Sequence, residues 1–421
     1  MVDIAPFRGL LFDPTAVDDL AHVIAPPYDV ISERERDQLE EASPYNIVRL
    51  ILGRDQPGDD DRDNKYVRAR ALLDAWRASG VLAQDDHEAF YLYEQRYPLG
   101  GSMRIQRGLL AAVALDDPDA GGVLPHERTY DDIVDDRLAL LRATATNLDT
   151  IFCVYGNPDR MVAERLDATA DTEPILTYTC PDAIEDRLWR IDDPADIELI
   201  VKSLTDVRVM IADGHHRHRT AQRYRDERRR SEGPGPWDRQ MMFLVDVTHH
   251  GPALLPIHRV VSGLSAQEAR ARLEPAFRFA PADRQDPESL ASELAERRAG
   301  GARIFVLLDR DAAWWMTVAD PAAEAAAMPA DRSASWRDLD VAVLHAWVFE
   351  QLLGGVTPRF VHHAHEAAEE VETGRADVAF LLGPASFEGV LDVAEDGEAM
   401  PQKSTYFIPK PKTGIVLRAL D

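Results

Sequence analysis

The feature that most constrains this chain is a strand that passes into a helix without a linker. Residues 207–212 form an apolar, β-branched run that is typical of a buried strand. Asp213 and Gly214 follow at once, and the residues from 215 to about 230 continue as a helix. Because Gly214 permits a tight turn, the first backbone N–H groups of this helix point back at the strand end, where such groups bind anions. The chain must therefore build a sheet and a packed helix around this turn.

The rest of the chain alternates between the two classes of element. A length of 421 residues suggests two or three units, at roughly 100–200 residues per domain. We predict a mixed α/β, or α+β, fold with units at 1–115, 116–250 and 251–421. Strands are predicted at 90–97, 106–115, 241–247, 304–308 and 378–382, and helices at 66–80, 265–273, 288–298, 338–353 and 365–372. A hairpin is expected across Gly100-Gly101, and a capping box at Ser32 and Glu35.

Composition and charge exclude several classes of function. Hydrophobic residues make up 45% and charged residues 29% of the chain, and no apolar run approaches the roughly 18 residues of a membrane span. The first residues lack the pattern of a secretion signal, so the cytoplasm is the expected location. A net charge of −27 repels polyanions, so neither nucleic acid nor membrane is expected as a partner. Cys153 and Cys180 show no paired spacing and are expected in the core.

The turn itself carries the chemistry that we consider first. His215, His216 and Arg217 offer charge-assisted donors that suit phosphate, and Thr220 adds a hydroxyl on the same helix. Asp213 is placed to accept a proton or to bind Mg²⁺. The alternative is a helix with a basic, solvated face, which the many arginines after residue 217 favour. Two adjacent histidines after a strand-end Asp213-Gly214 favour the phosphate site.

Two further segments are candidates for the same site. His126 and Glu127 follow a proline in a predicted loop, where catalytic groups are often displayed, and Glu127 is a candidate general base. Lys403, Ser404 and Thr405 lie in a short extended segment of a chain that has only five lysines, and they are candidates to close over phosphate oxygens. The alternatives are an exposed loop acid beside a solvated histidine, and a tail that merely docks.

The remaining histidine pairs and the common nucleotide motifs give weaker signals. His362, His363 and His365 lack the spacing of a zinc-binding helix, so metal binding is not expected there. His249 and His250 precede Gly-Pro and indicate a turn. The sequence holds no Gly-x4-Gly-Lys-Ser/Thr loop and no dinucleotide-binding fingerprint. Nucleotide chemistry would therefore need a less common scaffold.

The motifs occur in an order that resembles a known family. From the N-terminus they are Pro-Pro-Tyr-Asp-Val at 26–30, Pro-Tyr-Asn at 44–46, Leu-Pro-His-Glu at 124–127, Ala-Asp-Gly-His-His-Arg at 212–217 and Met-Pro-x-Lys-Ser-Thr-Tyr-Phe-x-Pro-Lys at 400–410. Together they resemble the signatures of a bacterial and archaeal family catalogued as a domain of unknown function. The resemblance spans nearly the whole chain.

A second resemblance covers only the turn and its helix. The Asp-Gly-His-His-Arg sequence is similar to the turn of free-serine kinases in the ParB and sulfiredoxin superfamily. It implies a ParB/sulfiredoxin-like core in which Gly214, His215, His216 and Arg217 hold nucleotide phosphates and Asp213 orients a hydroxyl or Mg²⁺. In those kinases a glutamate from another segment is the base, and the assignment of that role to Glu127 is a hypothesis of ours.

The favoured function is therefore phosphoryl transfer. A phosphotransferase would move a phosphoryl group from ATP or ADP to a small hydroxylated metabolite, with free L-serine the leading acceptor and Mg²⁺ as cofactor. One alternative is a hydrolase that cleaves phosphate esters or nucleotides at the same site. Another is a non-catalytic nucleotide-binding switch related to ParB-type clamps, although the acidic charge weakens its DNA-binding form.

Overall fold

The chain divides into two compact units, each of which has its own sheet. A computed structural model describes residues 1–115, 121–156, 159–284, 286–299, 301 and 303–421. Unit 1 comprises Met1–Pro252 and Pro409–Asp421, and unit 2 comprises Ala253–Ile408. The predicted boundary at 250 lies two residues from Pro252, whereas no division falls at 115, because strands from both sides of residue 116 share one sheet. The last thirteen residues return to unit 1. The predicted mixed α/β class is confirmed.

Unit 1 is built on one large mixed sheet. The strands before residue 253 are β1 (Ile4–Ala5), β2 (Leu10–Phe12), β3 (Leu82–Gln84), β4 (Phe90–Leu99), β5 (Ser102–Ala114), β6 (Val123–Leu124), β7 (Thr146–Asn147), β8 (Ile151–Tyr155), β9 (Leu176–Thr179), β10 (Glu185–Ile191), β11 (Val209–Asp213) and β12 (Arg239–Asp246). Among the described residues nine of them form the sheet, in the order β6-β11-β8-β12-β5-β4-β10-β9, with β1 paired to β5.

The helices of unit 1 are α1 (Glu33–Ala42), α2 (Val48–Ile51), α3 (Lys65–Ala78), α4 (Asp131–Thr144), α5 (Met161–Ala170), α6 (Pro194–Leu204) and α7 (His215–Glu232). Of these, α5, α6 and α7 pack against the large sheet through apolar side chains. Leu166 of α5, Ile200 of α6 and Ala221 of α7 lie in one core cluster with residues of the central strands, which include the buried Cys153. Local signals explain several boundaries. Ser32 caps α1 in the predicted capping box, and β4 and β5 form the predicted hairpin.

Unit 2 has a smaller antiparallel sheet. Its strands are β13 (Ala253–Leu255), β14 (His258–Val261), β15 (Phe277–Ala282), β16 (Ile304–Leu308), β17 (Ala313–Val318), β18 (Arg359–Val361), β19 (Val378–Leu381) and β20 (Tyr406–Ile408). Six of them form the sheet, in the order β15-β17-β16-β19-β14-β18, and β13 pairs with β20. After β20 the chain re-enters unit 1, where β21 (Arg418–Ala419) pairs with β7.

The helices of unit 2 include one segment whose conformation departs from the prediction. They are α8 (Ala266–Leu273), α9 (Pro287–Ala299), α10 (Pro321–Ala327), α11 (Ala334–Arg337), α12 (Asp340–Ala342), α13 (Ala364–Glu372) and α14 (Phe387–Glu395). Leu294 of α9 and Ala367 of α13 pack on the core strands. The single helix predicted at 338–353 is instead α12 followed by a π-helix, Val343–Leu352, because the wider backbone hydrogen bonds cannot be recognised from apolar spacing. Within the described residues, no helix is long and apolar enough to cross a membrane.

Candidate functional site

The sheet of unit 1 places three segments at one edge. β6 runs parallel to β11, so the carboxyl ends of both strands lie at the same edge. His126 follows β6 there, and Asp213 ends β11. β8 runs antiparallel to β11, and its amino end, preceded by Asp149 and Thr150, therefore lies at this edge as well. Strand pairing alone brings the predicted His126-Glu127 loop to the predicted turn.

The turn has the backbone that the sequence predicts. Gly214 has φ 103°, in the left-handed region that glycine adopts at little cost. A Cβ at this position would lie 3.1 Å from Nε of Arg217, so glycine also makes room for that guanidinium. Gly214 is the N-cap of α7 and provides no capping side chain. The N-terminus of this 18-residue helix therefore faces the strand end without a side-chain cap.

Two partly buried cations converge on Asp213. Arg217 forms an ion pair with Asp213 one helical turn away, and its Nη1 lies 2.7 Å from a carboxylate oxygen of Asp149. Lys410 pairs with Asp213 from the opposite end of the chain and lies 3.7 Å from Asp29. The Asp213 side chain is only 13% exposed, so these charges interact in a poorly hydrated environment.

The pKa values follow from this pairing. Burial works to lower the pKa of Arg217, but Asp149 and Asp213 outweigh it and raise the pKa above its usual value. Burial likewise opposes the charge of Lys410, and Asp213 and Asp29 raise its pKa. Burial raises the pKa of Asp149 although Arg217 lies beside it. Both cations are therefore charged at neutral pH.

The histidines of the turn are neutral hydrogen-bond groups. Nε2 of His215 accepts from the backbone N–H of His126 at 3.2 Å, and Nε2 of His216 accepts from Tyr130 N–H at 3.1 Å. Burial lowers the pKa of His215 well below its usual value and lowers that of His126 to about 4. Positive charge at the turn therefore comes from Arg217 and Lys410 and not from the imidazoles.

Glu127 lies beside the turn, where its nearest residue of the turn is His215. Its carboxylate is 3.7 Å from Nδ1 of His215, the nitrogen that carries the proton when Nε2 accepts. Glu127 is 42% exposed, whereas His215 is buried. A cavity of about 250 Å³ is lined by Glu127, Thr129, His215 and Arg219, among others. The structure thus brings the two predicted segments together, and the role of Glu127 as a base stays a prediction.

Thr220 lies about one turn beyond Arg217 in α7, on the side that faces α4. Its hydroxyl is 3.4 Å from the carbonyl of Val134 in α4, and the residue is buried. A second cavity is lined by Thr220 with Tyr28, Arg137, Asp149 and Arg217, among others. Thr220 therefore borders a space next to Arg217, and its contact with phosphate stays a prediction.

The predicted Lys403-Ser404-Thr405 segment belongs to unit 2, whereas the turn belongs to unit 1. Lys403 has φ 56°, and its carbonyl accepts from Nη2 of the buried Arg259 at 2.8 Å. Ser404 is buried and donates its hydroxyl hydrogen bond to the carbonyl of Pro401. Convergence of these three residues on the turn stays a prediction.

Sequence reasoning missed Lys410, Asp149 and Asp29 as members of the site. Lys410 is held by backbone contacts: Nε2 of Gln106 donates to the carbonyl of Pro409 at 3.1 Å, and Nε2 of Gln95 donates to that of Lys410 at 3.3 Å. The scarcity of lysine in the chain singled out the motif at 400–410, but the predicted phosphate ligand was Lys403 and not Lys410. Asp29 lies in the Pro-Pro-Tyr-Asp-Val motif, and this motif could have indicated that Asp29 belongs to the site. Asp149 lies in none of the motifs, so nothing in the sequence indicated its role.

Comparisons with known proteins identify a family but no activity. The model of the family described as "Protein of unknown function (DUF1015)" matches residues 4–342. No curated protein matches the chain. Similar solved structures include a free serine kinase in complex with AMP, at 14% identity over 71% of this chain and 87% of that chain, with a TM-score of 0.36.

Two other solved structures show a likeness of the same extent. A conserved hypothetical protein from Pyrococcus furiosus is 12% identical over 72% of this chain and 91% of its own, with a TM-score of 0.32. SbnI with a C-terminal truncation, from Staphylococcus aureus, is 11% identical over 71% and 82%, with a TM-score of 0.35. Scores this low do not establish a common fold, so the ParB/sulfiredoxin-like core stays a prediction.

Proposed function

The chain belongs to the DUF1015 family of proteins of unknown function, and we propose that it is a phosphotransferase whose donor phosphates bind at the Asp213–Arg217 turn. The observation that carries this proposal is the convergence of Arg217 and Lys410 on Asp213 at the uncapped N-terminus of α7. Two cations and a helix terminus at one point favour an anion, and phosphoryl transfer depends on charge neutralisation and alignment.

An arriving phosphate exchanges partners with Asp213. Its oxygens take the hydrogen bonds of Lys410 and Arg217, and the carboxylate of Asp213 is released to face the acceptor. Arg217 remains oriented by Asp149 and by the carbonyl of Thr150 during this exchange. The cations are thus positioned before the ligand binds, which lowers the cost of ordering them.

The proposed reaction conserves atoms and charge. The acceptor hydroxyl oxygen forms a bond to the terminal phosphorus of ATP or ADP, and the bond from that phosphorus to its bridging oxygen breaks. The hydroxyl proton passes to Asp213, with Glu127 as the alternative base. The products are a phosphomonoester and ADP or AMP. Free L-serine is the leading acceptor on the similarity of the turn to free-serine kinases.

The residues at the turn fit Mg²⁺ by their chemistry. Asp29, Asp149 and Asp213 supply carboxylate oxygens, which are the ligands that this hard cation prefers. Magnesium bound with the nucleotide would neutralise charge on the transferred phosphate. Asp213 is the residue that we expect to bind it.

The test combines binding with product analysis. Purified protein is incubated with ATP or ADP, Mg²⁺ and a pool of hydroxylated metabolites, and phosphorylated products are followed by mass. We expect phosphoserine and its loss in Asp213→Asn. Asp182→Asn is the matched control, because Asp182 pairs with Lys412, two residues from Lys410, and not with the turn.

Each other outcome identifies a different function. Absence of nucleotide binding rejects both the phosphotransferase and a nucleotide-binding switch. Binding without a product favours the switch. Release of inorganic phosphate without a phosphorylated acceptor favours a hydrolase.

A further inference from the structure

Away from the turn, three side chains of unit 1 bring potential metal ligands together. Asp167 lies on α5, and His249 and His250 follow β12. Nε2 of His249 is 2.7 Å from Oδ2 of Asp167, and Nε2 of His250 is 3.5 Å from Oδ1. One ligand atom from each residue lies within 4.8 Å of the other two, and all three residues are half-buried. Two imidazoles and a carboxylate form a common ligand set for transition metals.

A strained turn brings the two adjacent imidazoles to the same side. Neighbouring side chains of an extended chain point to opposite faces, yet these rings are 4.3 Å apart between centroids. His250 has φ 54°, a left-handed conformation that is unusual for histidine, and its carbonyl accepts from Arg107 N–H at 2.9 Å. The backbone therefore holds both Nε2 atoms toward Asp167.

Asp167 keeps one carboxylate oxygen on the side of the imidazoles. Arg107 pairs with its other oxygen and with the buried Glu94, which also pairs with Arg96. Two guanidinium groups therefore face two carboxylates. Oδ2 faces His249. This oxygen and the two imidazole nitrogens are the atoms that would bind the ion.

We propose that Asp167, His249 and His250 bind a divalent transition-metal ion, with Zn²⁺ the best match. On binding, the metal takes the place of the hydrogen atom between Nε2 of His249 and Oδ2 of Asp167, and the proton of the neutral imidazole moves by way of water to Nδ1. The ion ties α5 to the loop that follows β12, and His250 in this loop lies three residues before unit 2 begins at Ala253. With three protein ligands, a fourth position stays open to water or another ligand.

A second set of similar residues provides an internal control. Glu288, His363 and His365 of unit 2 also bring ligand atoms within 4.8 Å of one another, but all three residues are exposed. Nδ1 of His365 lies 2.9 Å from Glu288. Exposed side chains lose more conformational freedom when they bind a metal ion, and water competes with them for the ion. We therefore expect this second cluster to bind the metal much more weakly.

The experiment measures metal binding on the full chain after treatment with a chelator. Zn²⁺ is titrated by calorimetry, and Co²⁺ is used as a spectroscopic probe of nitrogen and oxygen ligation. The variants are His249→Ala and His250→Gly, and His363→Ala is the matched control. Glycine at position 250 tolerates the positive φ, so the ring is removed while the turn is kept.

We expect one tight Zn²⁺ site that persists in His363→Ala. In His249→Ala and His250→Gly, affinity should fall at least about 100-fold, since outer-shell changes alone cost roughly 10–100-fold. Zn²⁺ should also raise the melting temperature of the unmodified chain and not that of His250→Gly. Absence of micromolar binding, or a site lost in His363→Ala and retained in His249→Ala, overturns the proposal. These readouts do not depend on phosphoryl transfer.

Discussion

The partly buried cations at the turn in unit 1 and the buried Arg259 in unit 2 are satisfied by different kinds of partner. In unit 1, Arg217 and Lys410 pair with carboxylates, and their pKa values are raised although burial opposes this. In unit 2, Arg259 is fully buried, and burial lowers its pKa to about 9. The partners of Arg259 are neutral: Nε2 of His345 at 3.2 Å and the carbonyls of Ile257 and Lys403.

The difference separates a group that can exchange partners from one that fixes the backbone. A carboxylate partner can be replaced by another anion, because the cation is charged and oriented before the ligand binds. A carbonyl partner belongs to the chain, and replacing it disrupts local structure. Arg259 therefore holds the carbonyl of Lys403 in its left-handed conformation, whereas Arg217 and Lys410 are available to a ligand.

The largest expected effect is on catalysis at the paired site. Asp213→Asn should lower turnover of the proposed reaction at least on the order of 100-fold, the scale of an acid–base group. The fold should persist, because Arg217 keeps Asp149 and Lys410 keeps Asp29. Product formation measured by mass, with circular dichroism as the check of folding, decides the outcome. Unchanged turnover would remove Asp213 from the mechanism.

The next effect is on nucleotide affinity. Lys410→Met removes a charge-assisted donor worth about 1.5–3 kcal/mol, so nucleotide affinity should fall roughly 10- to 100-fold. Lys410→Arg should recover part of the loss because it restores the charge. Calorimetric titration with ATP and ADP measures both. Lys412→Met is the control, since Lys412 pairs with Asp182, and an equal loss there would contradict a specific role for Lys410.

A smaller effect concerns the neutral partners in unit 2. Arg259→Lys should lower the free energy of unfolding by about 2 kcal/mol, because a lysine cannot reach the three acceptors of the guanidinium and leaves buried acceptors unsatisfied. Denaturant unfolding of the full chain measures the shift. Arg278→Lys, at an exposed position of β15, should change stability by less than about 0.5 kcal/mol. Equal stability of the two variants would refute the assigned role.

The smallest effect is a dependence on pH. Burial lowers the pKa of His345 to about 4 in the folded protein, whereas an unfolded chain has about 6.5. The unfolded state takes up the proton first as pH falls, so stability is lost between pH 6.5 and 4 and is unaffected above this range. His345→Gln should reduce the stability lost between pH 6 and 5 by about 1 kcal/mol. Melting temperatures of the unmodified chain and of His345→Gln at pH 6 and pH 5 test this. An equal fall in melting temperature for the two proteins would contradict it.

Local signals in the sequence predicted the turn well. The helix predicted from residue 215 is α7, and the strand before it is β11, because a buried apolar run and an Asp-Gly turn determine their own conformation. The partners of Asp213 could not be predicted in this way. Lys410 lies 197 residues away, and β6, which places His126, has only two residues. Such contacts depend on sheet pairing, which one sequence does not specify.

The charges of the histidines at the turn could not be predicted from the sequence either. The sequence places His215 and His216 next to Arg217, and their residue type suggests positive charge. Their protonation depends on burial, and burial depends on the packing of α7 against the sheet and α4. The sequence therefore predicts the members of the turn more reliably than their charges.

The return of the chain to unit 1 has a consequence for synthesis. A ribosome releases β11 and α7 long before it makes residues 409–421, and the whole of unit 2 is translated in between. Until then Asp213 lacks Lys410, and the backbone bridge of Ala25 to Thr413 is missing. Contacts this distant in sequence form slowly. A nascent or truncated chain would therefore lack the second cation beside Arg217, and the nucleotide binding that we propose at the turn would be weaker until the tail is translated.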